Sequence, residues 1–271
     1  MSRYADFFAK GERAFVPFVM LSDPTPEDAL EIVSAVVDAG ADALELGVPF
    51  SDPVADGPAI QGAHVRALRG GATVAQALDQ VRAIRERYPD LPIGMLVYAN
   101  VVHTRGLDRF YAEFKEAGAD SVLLPDVPVR ESAPFSAAAE RAGIEPIYIA
   151  PAKASKETLE GVAANSRGYI YAISRDGVTG TENEATVEGL REVVDNVNTF
   201  GGAPVLLGFG ISRPEHVRAA IQAGAAGAIT GSAITKIIDG HIVDTRIADM
   251  EALKRELTDY VAAMKQATIE P

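Results

Sequence analysis

The 271-residue sequence predicts an α/β fold, a single-domain (β/α)8 barrel with parallel strands, and three observations carry that prediction. Short apolar runs recur eight times, helix-period segments separate them, and no linker or low-complexity tract interrupts the alternation. Eight strand-helix units in a chain of this length favour a closed barrel, the TIM class, over an open doubly wound sheet.

Strands are expected at about 14–20, 43–48, 93–98, 121–125, 145–150, 169–173, 204–208 and 227–230, with a last helix over about 248–266. A weak internal repeat supports the order. Asp38-Ala39-Gly40-Ala41-Asp42, Glu116-Ala117-Gly118-Ala119-Asp120, Arg141-Ala142-Gly143 and Gln222-Ala223-Gly224-Ala225 each precede a strand, with the glycine as a left-handed helix C-cap. Helix starts are marked by Asp23-Pro24-Thr25-Pro26, by Ser155 before Lys156-Glu157, and by Ser212-Arg213-Pro214-Glu215, which supply capping oxygens or a first-turn proline.

Apolar residues make up 48% of the chain, enough to bury a large core. Without cysteine there are no disulfides, thiol nucleophiles or thiolate metal sites. The first thirteen residues lack the apolar stretch of a signal peptide, and no run of 18 apolar residues suggests a membrane span, so a soluble cytoplasmic protein is expected. A formal net charge of −13 argues against nucleic acid or an anionic membrane as partner. A phosphorylated metabolite stays compatible with that charge, because backbone N–H groups at a helix N-terminus hold an anion locally.

In such barrels the chemistry sits at the C-terminal ends of the strands. Glu45 lies in the second strand between Leu44 and Leu46, so alternation turns the leucines to the packed face and Ala43, Glu45 and Gly47 to the other. Burial there disfavours the charged carboxylate and draws its proton affinity toward neutrality. Asp52 and Asp56 follow in a loop stiffened by Pro53, Gly57 and Pro58. Both fit ordinary turn chemistry as well as they fit a carboxylate held over the barrel mouth. Gly208-Phe209-Gly210-Ile211-Ser212 and Gly231-Ser232-Ala233 follow strands 7 and 8, where barrels of this type bind phosphate. Ser174 to Ala185 reads either as a closing lid or as a passive loop. Lys153 is a Schiff-base candidate in a polar stretch that favours a solvated lysine. Tyr98, Tyr169 and Tyr171 end or line strands, suited to a ring-shaped substrate or to core packing. The histidines His64, His103, His216 and His241 show no metal-ligand spacing.

Residues 44–58, Leu-Glu-Leu-Gly-Val-Pro-Phe-Ser-Asp-Pro-Val-Ala-Asp-Gly-Pro, resemble the signature of the tryptophan synthase α-subunit family. Phe15-Val16-Pro17-Phe18, Tyr98-Ala99-Asn100, Asp126-Val127-Pro128, Ser174-Arg175 with Gly177-Val178-Thr179-Gly180, and both glycine loops fall in that family's order across essentially the whole chain. The resemblance implies cleavage of indole-3-glycerol phosphate to indole and glyceraldehyde 3-phosphate. It also implies an α2β2 heterotetramer with a β subunit that carries pyridoxal phosphate and receives the indole, and no cofactor in this chain. By position it makes Glu45 the general acid/base and Asp56 the partner of the indole N–H. It makes Gly180, Gly210, Gly231 and Ser232 the phosphate cradle, Phe18, Leu96, Tyr98 and Tyr171 the indole-pocket walls, and Arg175 and Thr179 lid residues, with Thr179 closing onto Asp56. Met20 and Ser22 depart from the Thr and Gly frequent in the family. The rival readings are another phosphosugar isomerase or aldolase barrel, and a chain that acts mainly by activating its partner.

Overall fold

The computed structural model describes residues 2–173 and 187–269, so Arg175, Thr179, Gly180 and the expected lid lie outside the described residues. Strands β1 (Ala14–Met20), β2 (Leu44–Gly47), β3 (Ile93–Leu96), β4 (Ser121–Leu123), β5 (Glu145–Ile147, continued by Ile149–Ala150), β6 (Ile170–Ile173), β7 (Val205–Gly208) and β8 (Gly227–Thr230) pair only in parallel. The sheet runs from the first half of β5 through β4, β3, β2, β1, β8, β7 and β6 to the second half of β5. Its two ends therefore belong to one strand, and the sheet closes into a barrel.

The break in β5 falls at Tyr148, yet side-chain alternation continues through it. Ile147 and Ile149 join the cluster inside the barrel, while Tyr148 packs outward among the helices, its hydroxyl bonded to Ser136. Only the ladder changes partner there, from β4 before Tyr148 to β6 after it.

Helices α1 (Arg3–Phe8), α2 (Pro26–Asp38), α3 (Pro58–Arg69), α4 (Val74–Arg87), α5 (Ala99–Arg105), α6 (Leu107–Ala117), α7 (Ala133–Ala142), α8 (Lys156–Asn165), α9 (Val187–Asn198), α10 (Pro214–Gln222), α11 (Ser232–Gly240) and α12 (Met250–Ile269) follow in order. Those around the barrel bury apolar stripes against the outer faces of the strands, and Leu44 and Leu46 lie in that outer layer while Ala43 faces the interior. The repeat glycines Gly40, Gly118, Gly143 and Gly224 all take positive φ at helix ends, as expected. Thr25 and Ser155 cap α2 and α8 through their hydroxyls. Ser212 does not cap α10: Arg213 holds that position in extended backbone, its side chain making no capping hydrogen bond, and Pro214 opens the helix.

Two features lie outside the expected pattern. A short antiparallel hairpin, β9 (Ile242–Val243) with β10 (Arg246–Ile247), joins α11 to α12 through Asp244 and Thr245, both at positive φ. At the barrel's N-terminal end, α1 inserts the buried Tyr4, whose hydroxyl is 3.1 Å from Ser121 Oγ and whose ring lies 5.4 Å from that of Tyr169.

Candidate active site

The opposite mouth of the barrel holds a concave cavity open to solvent, the kind of place where small-molecule sites form. Glu45, Asp56, Phe18, Leu96, Tyr171, Gly210, Gly231 and Ser232 line it together, although they come from β1, β2, β3, β6, three loops and the start of α11. Ile60, Phe209, Ile211 and Ile229 complete the wall; Phe209 and Ile211 belong to the glycine motif after β7, while Ile60 on α3 and Ile229 in β8 were not singled out, because apolar residues inside helices and strands look like core. Lys153 is exposed beyond β5 and does not line the cavity.

Glu45 is fixed by register. On the inner face its neighbours across the sheet are Phe18 on β1 and Gly94 on β3, so an aromatic ring flanks it on one side and no side chain on the other. Gly47, one inward position further, is required small: a Cβ there would stand 2.6 Å from the Phe18 ring. Only 2% of Glu45 is exposed, and its Oε1 accepts a 3.0 Å hydrogen bond from the Tyr169 hydroxyl. Burial pushes its carboxyl up to about 7, the Tyr169 hydrogen bond opposes that rise, and the Asp56 charge adds to it. An acid with this proton affinity both gives and takes protons near neutrality.

Asp56 precedes α3, whose first turn is set by Gly57 and Pro58. It is 5% exposed, its backbone carbonyl accepts from Gln61 Nε2 at 2.7 Å, and its Oδ2 accepts from the Tyr98 hydroxyl at 2.8 Å. The Tyr98 oxygen in turn accepts from the Ala55 N–H at 3.1 Å, and its ring stacks on Phe50 with centroids 5.3 Å apart. Burial and the adjacent Asp56 charge raise the Tyr98 phenol, so it stays a donor. The structure thus places Tyr98 behind Asp56, outside the cavity lining, whereas Tyr171 faces the cavity. Tyr171 in turn explains Gly208, since a Cβ at that position would stand 2.1 Å from the Tyr171 hydroxyl. His64 Nε2 lies 3.2 Å from Asp56 Oδ2, a contact invisible to a search for metal-ligand spacing.

The far rim presents backbone N–H groups at a helix start, which suit an anion. Phe209 and Gly210 both have positive φ, which turns the chain sharply after β7. Gly231 and Ser232 open the nine-residue α11 toward the same space, so the helix N-terminus and its dipole face the cavity. Tyr260 on α12 and Thr230 brace the loop, with the Thr230 hydroxyl donating to the Ile211 carbonyl at 2.6 Å and the Tyr260 hydroxyl to the Ser212 carbonyl at 3.2 Å. The loop after β1 is held from below. Ser22 stands at φ +62°, its N–H donating to Gln80 Oε1 at 3.0 Å and its Oγ accepting from Gln80 Nε2 at 2.7 Å, while Arg66 grips Asp23 through two 2.8 Å bonds. The buried Gln80 contacts offset the strain of a serine at this left-handed position.

A cavity with an acid of near-neutral affinity, a second carboxylate, an apolar wall and a glycine-rich anion rim suits an aromatic substrate with a phosphorylated tail. The family model described as "Tryptophan synthase alpha chain" matches residues 4–268. The tryptophan synthase alpha chain of Corynebacterium glutamicum is 66% identical over 99% of each chain, and that of Vibrio parahaemolyticus is 52% identical over the same shares. The crystal structure of tryptophan synthase subunit alpha from Legionella pneumophila, 28% identical, matches all of both chains with a TM-score of 0.87. A tryptophan synthase complex from Pyrococcus furiosus, 29% identical, matches 93% of this chain and 98% of that one with a TM-score of 0.82. On the family model and these relatives, this chain belongs to the tryptophan synthase alpha chain family.

Proposed function

We propose that Glu45 and Asp56 divide between them the acid/base work of this family's lyase reaction, the cleavage of indole-3-glycerol phosphate to indole and glyceraldehyde 3-phosphate in tryptophan biosynthesis. The bond between indole C3 and the glycerol chain breaks only when its electron pair has somewhere to go. Protonation of C3 supplies that sink by converting the indole to a cationic tautomer. Glu45, buried and poised near neutrality, delivers this proton. Asp56, held by Tyr98, accepts the indole N–H and stabilises the cation. Loss of the proton from the adjoining glycerol hydroxyl, for which Glu45 is also the base, then releases the aldehyde as the C–C electron pair returns to the ring.

Phe18, Leu96 and Tyr171 contact the ring system, and Gly210, Gly231 and Ser232 receive the phosphate, with Gly180 completing that cradle and Arg175 and Thr179 serving a lid. Residues 1–271 act as one catalytic domain on this reading, in the cytoplasm. Among the described residues no helix is long and apolar enough to cross a membrane. The chemistry needs no cofactor in this chain; pyridoxal phosphate belongs to the β subunit, which pairs with α as α2β2 and receives the indole.

The observation that carries this reading is that two carboxylates from different elements face one cavity whose far rim is a helix N-terminus. Its test is an indole-release assay on indole-3-glycerol phosphate, run alone and with a β subunit. Turnover that rises on mixing is expected, and no indole in either case would refute the reading.

A further inference from the structure

His64 sits on α3, 1% exposed, and its two ring nitrogens meet different partners. Nδ1 accepts the backbone N–H of Phe50 at 2.9 Å, and Nε2 lies 3.2 Å from Asp56 Oδ2. A backbone N–H only donates, so Nδ1 must hold the lone pair and the ring proton is on Nε2, directed at the carboxylate. Asp56 Oδ2 therefore takes two hydrogens, one from His64 on α3 and one from Tyr98 at the start of α5. The donors brace each other, since the His64 ring meets the Tyr98 ring edge-on at 6.1 Å and Tyr98 stacks on Phe50.

We infer that His64 is a positioning residue for the cleavage reaction: a neutral imidazole, locked in one tautomer by Phe50, whose Nε2–H aims the Asp56 carboxylate at the substrate. One donor leaves a carboxylate free to swing about its own bond, whereas two donors from separate elements fix its plane, and catalysis depends steeply on such aim. The inference rests on the reading of Asp56 as the indole N–H partner.

The test separates the two nitrogens. His64→Leu keeps an apolar side chain but loses both hydrogen bonds, and His64→Gln places an amide N–H near the position of Nε2–H. With the αβ complex and indole-3-glycerol phosphate, His64→Leu should lower kcat at least tenfold, the size of a lost hydrogen bond to a charged group. KM and inhibition by glyceraldehyde 3-phosphate should stay within threefold, and His64→Gln should restore kcat to within threefold of wild type. In an Asp56→Asn background, His64→Leu should change the residual rate by less than twofold. A folded His64→Leu with near-normal kcat, a Gln variant as impaired as Leu, or an undiminished effect in the Asp56→Asn background would each overturn the inference. An inactive Asp56→Asn beside a normal His64→Leu overturns the role of His64 alone, whereas a normal Asp56→Asn overturns the reading of Asp56 and His64 with it. Nitrogen-15 NMR of the wild-type chain needs no variant: a neutral ring protonated at Nε2 is expected near pH 7.5, and a proton on Nδ1 contradicts the inference.

Discussion

The Tyr169 hydroxyl donates to Oε1 of Glu45 at 3.0 Å inside the barrel, where both residues are buried. That bond favours the ionised carboxylate and so works against the burial that raises its proton affinity. Removing it in Tyr169→Phe leaves burial unopposed. The pH profile of kcat should then shift so that the limb governed by Glu45 moves to higher pH. An unmoved limb would mean that Tyr169 only fills space.

Glu45 also ties stability to pH. Its carboxyl titrates near 7 in the fold against an ordinary 4.5, so the folded state binds the proton more tightly than the unfolded chain. Below pH 4.5 both states are protonated and no cost arises. As pH rises toward 7 the unfolded chain ionises first, and above 7 the fold carries the whole cost of a buried charge, on the order of 3 kcal/mol. Glu45→Gln, which carries no charge, should therefore be more stable than wild type at pH 8 and closely matched to it near pH 4.5. Urea melts at the two pH values check this, and an equal difference at both would count against a buried, titrating Glu45.

Gly208→Ala tests the close approach of Tyr171. The added methyl would stand 2.1 Å from the Tyr171 hydroxyl, so the ring has to leave its place on the cavity wall. Overpacking of this kind costs about 1–3 kcal/mol. The expected result is a lower melting temperature with a raised KM for indole-3-glycerol phosphate. A variant with wild-type stability and KM would show that the wall adapts freely.

Asp56→Asn keeps the shape of the side chain and removes the charge that faces the indole N–H. Transition-state stabilisation of this kind is worth about 10²–10³-fold in kcat. Tyr98→Phe removes one of the two donors on Oδ2 and leaves the other, so its loss should be smaller, about tenfold. Steady-state indole release on both variants checks the ranking, which a greater loss in Tyr98→Phe would reverse.

Much of this was legible in the sequence because barrel strands are short apolar runs separated by helix-period segments, and because Glu45 is ionisable where its neighbours Leu44 and Leu46 are not. That Gly210 and Gly231 line the cavity was legible from their position after strands 7 and 8. What escaped were contacts between residues distant in sequence. Tyr169 meets Glu45 across 124 residues, and nothing near either one marks the pair. His64 reaches Asp56 because α3 folds back over the loop that precedes it, a geometry without a spacing signature. Tyr98 was expected on the cavity wall, but its hydroxyl is spent on Asp56 and Ala55 instead. The β9–β10 hairpin was missed because Asp244-Thr245 lacks the glycine that usually marks such a turn.

The most direct measurement is a crystal structure of Glu45→Gln, in which substrate persists uncleaved, soaked with indole-3-glycerol phosphate. The account predicts the indole nitrogen within hydrogen-bond distance of Asp56, C3 facing the residue-45 amide, and the phosphate on the backbone N–H groups of Gly231 and Ser232. An indole ring whose nitrogen points away from Asp56, or a C3 remote from position 45, would contradict it.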